Sequence, residues 1–208
     1  VDFRANRYEA NLRAHCGGGR LMAKGSVDLD RERYALTART HAFPLQRFLP
    51  DMGLTPFSGS LRASGRGFDV QSARSSLTAD ARVDAFGYAG YDFGGTHAEA
   101  SLRGGHLKGA LAAHNRLFEV DCTLEGLLSH KGYELALRAH VPAVHLHALG
   151  LTPDTLTIAT EAALDLQANA RLTDLALKGS LCQNIFQTPR MSQMAKDLFF
   201  DFNTSTDT

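Results

Sequence analysis

Residues 118–141 read FEVDCTLEGLLSHKGYELALRAHV. Phe118, Val120, Cys122 and Leu124 are apolar, and Glu119, Asp121, Thr123 and Glu125 alternate with them. After the polar turn His130-Lys131-Gly132 the pattern resumes, with Tyr133, Leu135, Leu137, Ala139 and Val141 set against Glu134, Ala136, Arg138 and His140. A period of two belongs to a strand with one buried face. A short polar turn between two such strands makes them antiparallel neighbours.

The same texture spreads outward in both directions. Residues 76–86 place Leu77, Ala79, Ala81, Val83 and Ala85 against Ser76, Thr78, Asp80, Arg82 and Asp84, and only Phe86 breaks the alternation. Softer versions run through Tyr8 to Ala14, Leu21 to Leu29, Leu107 to Leu111, Leu164 to Ala168 and Leu175 to Leu181. Gly17-Gly18-Gly19, Gly94-Gly95, Gly104-Gly105 and His114-Asn115-Arg116 punctuate the strands. This predicts about a dozen strands of roughly 7–11 residues, longer than is usual. Three stretches read as helical: Leu45 to Met52, Val144 to Gly150, and a C-terminal segment from Pro189 to Phe199 with Met191, Met194, Ala195 and Leu198 at helical spacing. The predicted fold class is all-β with minor helix, a long antiparallel meander curled into an open groove.

Composition excludes several function classes. Lys plus Arg (22) equals Asp plus Glu (22), so the basic excess of a nucleic-acid-binding module is missing. No apolar run is long enough for a membrane-spanning helix. Cys16, Cys122 and Cys182 lack the short paired spacing of a zinc site. His145 and His147 alternate and lie near His140, but a helical turn would point them apart, so no metal or other cofactor is expected. No Gly-x-Ser-x-Gly motif or phosphate-binding loop occurs, and Asp80/Asp84 and Glu119/Asp121 sit on polar strand faces, so no catalytic residue is expected.

An internal repeat organises the chain. Residues 34–56 (YALTARTHAFPLQRFLPDMGLTP) resemble residues 133–153 (YELALRAHVPAVHLHALGLTP). The offset is 99 from Tyr34 to Tyr133 and 97 from Gly53 to Gly150. We read 1–208 as one repetitive segment with approximate units 1–110 and 111–208, part of something larger because it opens mid-pattern. A sheet apolar on one face must cover that face, and helix is too sparse to do so. The apolar sets are rich in small residues, including Ala79, Ala81, Ala98, Ala100, Gly109 and Ala139. Two arrangements fit: layers closing snugly over alanine and glycine, or an apolar space filled by acyl chains at about 0.8 kcal/mol per buried CH₂.

The repeated element resembles the AsmA-like superfamily, and within it an internal segment of the TamB-type translocation and assembly module proteins in their Bacteroidetes form. There a helical "L..LG" element precedes a "G.L...G.G" strand. Leu45, Phe48, Leu49 and Gly53 match the first part, and Gly59, Leu61, Gly65 and Gly67 match the second. The second copy keeps Leu146, Leu149 and Gly150, but its following strand, Thr157 to Ala162, lacks the glycines. The resemblance implies a periplasmic bridge anchored to the inner membrane by a segment outside this chain. Such a bridge passes phospholipid between the membranes or assists outer-membrane protein assembly. Its implied partners are phospholipid acyl chains, adjoining repeats and, through other regions, an outer-membrane barrel protein. The residues expected to line the lipid groove are Leu77, Ala79, Val83, Phe118, Val120, Leu124, Tyr133, Leu135 and Leu137. The rival expectation is a non-catalytic β-domain with a dry core that pairs through its sheet edges. An enzyme built on such strands is the weakest reading.

Overall fold

A computed structural model describes residues 2–4 and 6–205. Strand occupies 69% of the chain and helix 3%, so among the described residues no helical layer is present to cover a sheet face. The chain divides into two compact units, Val1–Gly104 and Gly105–Thr208.

The first unit holds β1 (Asp2–Arg4), β2 (Arg7–Cys16), β3 (Gly19–Asp28), β4 (Arg33–Phe43), β5 (Phe57–Arg66), β6 (Ser76–Ala85), β7 (Gly87–Tyr88), β8 (Tyr91–Asp92) and β9 (Thr96–Arg103). Its sheet runs β1-β2-β3-β4-β5-β6-β9, antiparallel throughout, and β7 and β8 form a separate ribbon. The second unit holds β10 (His106–His114), β11 (Phe118–Ser129), β12 (Gly132–His145), β13 (Thr157–Asn169), β14 (Asp174–Thr188), β15 (Met191–Met194) and β16 (Leu198–Ser205). Its strands follow one another from β10 to β14, and β15 and β16 both pair with β14. Neither sheet closes on itself: among the described residues β1 pairs only with β2, and β16 only with β14.

One copy of the sequence repeat lies in each unit, ending in the longest connection between paired neighbours among the described residues there. In the first, β4 and β5 are joined by residues 44–56, which make two single 3₁₀ turns, Leu45–Arg47 and Pro50–Met52. In the second, β12 and β13 are joined by residues 146–156. Both ladders slip just before the connection, between Thr40 and Phe43 and between Val141 and Val144. A bulge inserts an unpaired residue and bends the strand, which aims the chain out of the ladder. Ala42 takes up the strain in the first copy with φ 46°, and its freed N–H donates to Ser58 Oγ at 2.8 Å.

Two helical expectations need correction. Val144 and His145 still belong to β12, and the residues after them make a hydrogen-bonded turn, with Leu149 N–H donating to His145 O at 3.1 Å. The C-terminal segment Pro189 to Phe199 is not helical either: it is a turn, then β15, then the start of β16. Pairing with β14 overrides the helical spacing. Met191–Met194 lies against Ile185–Thr188, and the buried Asn184 side-chain amide donates to Leu181 O at 3.0 Å and to Lys196 O at 3.1 Å, pinning the link between β15 and β16.

Candidate functional site: two uncovered apolar faces

Antiparallel register aligns the apolar sets of successive strands into transverse rows. In the second unit three rows cross β10, β11, β12, β13, β14 and β16. They read Leu107, Gly126, Leu135, Leu166, Leu177 and Phe202; then Gly109, Leu124, Leu137, Leu164, Gly179 and Phe200; then Leu111, Cys122, Ala139, Ala162, Leu181 and Leu198. No position in these rows is polar. The first unit is built alike but from smaller residues. Across β2, β3, β4, β5, β6 and β9 one row is Ala10, Gly25, Leu36, Ala63, Ala79 and Ala100, and the next is Leu12, Ala23, Ala38, Leu61, Ala81 and Ala98.

These faces are not sealed. Among the described residues only Leu102, Ala113, Leu117 and Ala139 are buried hydrophobics, and no large side chain is fully buried. The accessible surface is 13926 Å² for a mass of 22.5 kDa. A globular monomer of that mass exposes about 9,500 Å². The surplus is what two uncovered sheet faces produce.

All nine expected lining residues stand on these faces and are half-buried. Leu77, Ala79 and Val83 lie in the first unit, opposite Leu102, Ala100 and Thr96 of β9. Phe118, Val120, Leu124, Tyr133, Leu135 and Leu137 lie in the second, where Leu124 faces Leu137 and Phe118 faces Val144. Val120 sits at the ladder slip between Glu119 and Asp121. At one end of the first face aromatic rings gather: Phe43 stacks on Phe48 at 5.6 Å, and Phe86 meets Phe57 at 5.8 Å and Phe93 at 6.2 Å. At the other end Tyr34 stacks on Phe68 at 6.1 Å and lies across Gly65, where a Cβ would overlap its phenol. The alternation could not reveal these clusters, because several of the rings come from connections.

The opposite faces carry cross-strand ion pairs. In the second unit these are Arg138–Asp165 at 2.8 Å, Lys108–Glu125 at 3.3 Å, Lys178–Asp201 at 3.6 Å, His114–Asp121 at 3.2 Å, and His140 with Glu161. In the first unit His97 Nε2 lies 2.7 Å from Asp80 and 3.4 Å from Glu99. These three groups offer ligand atoms within 4.8 Å of one another. Arg62 stands directly opposite Asp80, and Arg82 opposite His97, so positive charge is already supplied there. The hydrogen bond from His97, and then the charges of His97, Arg82 and Arg62, hold the Asp80 carboxyl below its usual range. His145 and His147 do not converge: Nδ1 of His145 meets Thr157 Oγ1 at 3.1 Å, and Nδ1 of His147 meets Thr152 O at 3.2 Å. Burial pushes the Cys122 thiol up, away from a reactive thiolate. No family model, curated protein or solved structure matches the chain.

Proposed function

We propose that the two apolar faces hold lipid acyl chains, as a stretch of a hydrophobic groove through which phospholipid passes. One observation carries the reading: continuous rows of leucine, alanine and phenylalanine remain half-exposed over faces that no helix covers. An apolar patch this extensive marks a surface that meets another apolar body. Acyl chains suit it because the rows of the second unit present no hydrogen-bonding side chain beyond the weakly polar thiol of Cys122. They need only area, and each buried CH₂ contributes about 0.8 kcal/mol. The AsmA-like resemblance extends the proposal to a periplasmic bridge between the inner and outer membranes, in which headgroups ride at the open side in contact with water. Acid–base catalysis plays no part in this reading.

The test is direct. The purified chain, extracted with organic solvent, should release phospholipid detectable by mass spectrometry in near-stoichiometric amount. Val120→Arg or Leu135→Arg should lose that lipid, and lose transfer between vesicles, while far-ultraviolet dichroism stays that of a β protein. A well-folded arginine variant that carries and transfers lipid as well as the parent would sink the proposal.

A second reading rests on β16. Leu198, Phe199 and Phe202 are 56%, 71% and 55% exposed on a strand with one unpaired edge. A hydrophobic edge of this kind pairs readily with an added strand. A lipid-free extract together with concentration-dependent association would favour it.

A further inference from the structure

The polar face of the first unit contains one arrangement that differs from every ion-paired row described above. At the strand ends, register places Arg7, Asp28, Arg33, Arg66, Ser76 and Arg103 in a single transverse row across β2, β3, β4, β5, β6 and β9. Arg33 and Arg66 are direct cross-strand partners. Like charges opposite one another on a sheet repel and destabilise the pair.

Two neighbouring carboxylates, Glu9 and Asp28, are already engaged. Glu9 takes Arg7 at 2.7 Å, and Asp28 takes Arg31, accepting its backbone N–H at 2.9 Å and facing its guanidinium at 3.6 Å. Among the described residues, no carboxylate pairs with Arg33, Arg66 or Arg103. Arg103 stands two strands from Arg66, a step of about 10 Å at ordinary strand spacing, so long side chains from both reach a common point. Outside this row, among the described residues, no two arginines of this face are direct cross-strand partners; Ser60, for example, separates Arg39 from Arg82, as Ser76 separates Arg66 from Arg103 within the row. The row borders an open depression of about 690 Å³ whose lining includes Ser64, Ser76 and Thr78, each with a hydroxyl.

We propose that Arg33, Arg66 and Arg103 bind a phosphate group. The planar guanidinium fork matches phosphate oxygens bidentately, and the Ser76 hydroxyl donates to an oxygen left over, while the Ser64 and Thr78 hydroxyls bond to each other at 3.2 Å. The anion also cancels the repulsion between Arg33 and Arg66, so its binding and the fold support each other. The group is either a free phosphate-bearing ion or the headgroup of an anionic phospholipid. The site is independent of the acyl-chain reading, since it lies on the reverse face of the strands.

The test uses thermal unfolding in inorganic phosphate and flotation with vesicles of phosphatidylglycerol, against phosphatidylcholine vesicles and chloride of equal ionic strength. The parent should be stabilised saturably by phosphate or should float with phosphatidylglycerol. The Arg33→Gln/Arg66→Gln variant should bind about tenfold more weakly or worse. Without phosphate, the single variant Arg66→Gln should melt about 1–3 °C higher than the parent, because it relieves the like-charge pair. Phosphate stabilisation without flotation assigns a free ion; flotation lost in the double variant assigns a headgroup. If the double variant does not fold, Arg103→Gln, which leaves the cross-strand pair intact, should still weaken the response. Equal stabilisation by chloride, an unchanged response in the folded variants, or no saturable response at all would overturn the proposal. Val120→Arg, on the other face, should leave the phosphate response intact, so the two readings fail separately.

Discussion

Asp80 illustrates how much a single cross-strand contact can direct. Its carboxyl accepts from His97 Nε2 at 2.7 Å and titrates below its ordinary value of 3.8, first because of that hydrogen bond. A depressed native value means that the contact contributes stability above the ordinary value and loses it as the pH falls through the native one. Asp80→Asn should therefore lower the melting temperature at neutral pH, and the gap to the parent should narrow as the pH is taken below 3.8. A gap equally wide in acid would rule out this account. The arginine row teaches the converse lesson at the same scale. Arg33, Arg66 and Arg103 are far apart in the chain, and nothing in local composition links them. Only the register makes them neighbours.

The connections that carry the internal repeat decide how strands hand over to one another. Gly53 and Gly150, matched in the two copies, both adopt left-handed backbone, with φ of 62° and 68°. A Cβ in that region costs about 1–2 kcal/mol. Gly53→Ala and Gly150→Ala should each destabilise by about that amount in urea unfolding. Gly25→Ala is the control: Gly25 has ordinary backbone with nothing nearer than 3.8 Å to an added Cβ, so it should be neutral or stabilising. A loss at Gly25 as large as at Gly150 would remove the conformational explanation. The repeat was legible because both copies keep the glycine, and the strands Ser76–Ala85, Phe118–Ser129 and Gly132–His145 were legible from alternation alone. The C-terminal strands were not. Leu198, Phe200 and Phe202 do alternate, but Phe199 sits between them on the other face and blurs the pattern, and β15 is only four residues long. What orders this stretch is distant in sequence: Phe200 lies over Gly179 of β14, filling the space its missing side chain leaves.

At the scale of the whole chain the governing quantity is surface. With 13926 Å² exposed, folding removes less apolar area from water than in a globular protein of equal mass. Heat capacity of unfolding follows apolar exposure, so calorimetry should give a value per residue below the usual range of about 12–15 cal/mol/K. Loading the apolar faces with lipid should raise it, and a value within the usual range for the lipid-free chain would mean that the faces are covered. The order of pairing has a further consequence. Within each unit almost every strand of the sheet pairs with the strands next to it in sequence. Stability is then close to a sum of nearest-neighbour terms, as along a one-dimensional lattice. Melting should advance strand by strand from an end. Excising two adjacent strands would shorten such a lattice without breaking it: the flanking strands would still run in opposite directions and could keep their apolar sets on one side. Length in this architecture is a variable that evolution can adjust two strands at a time.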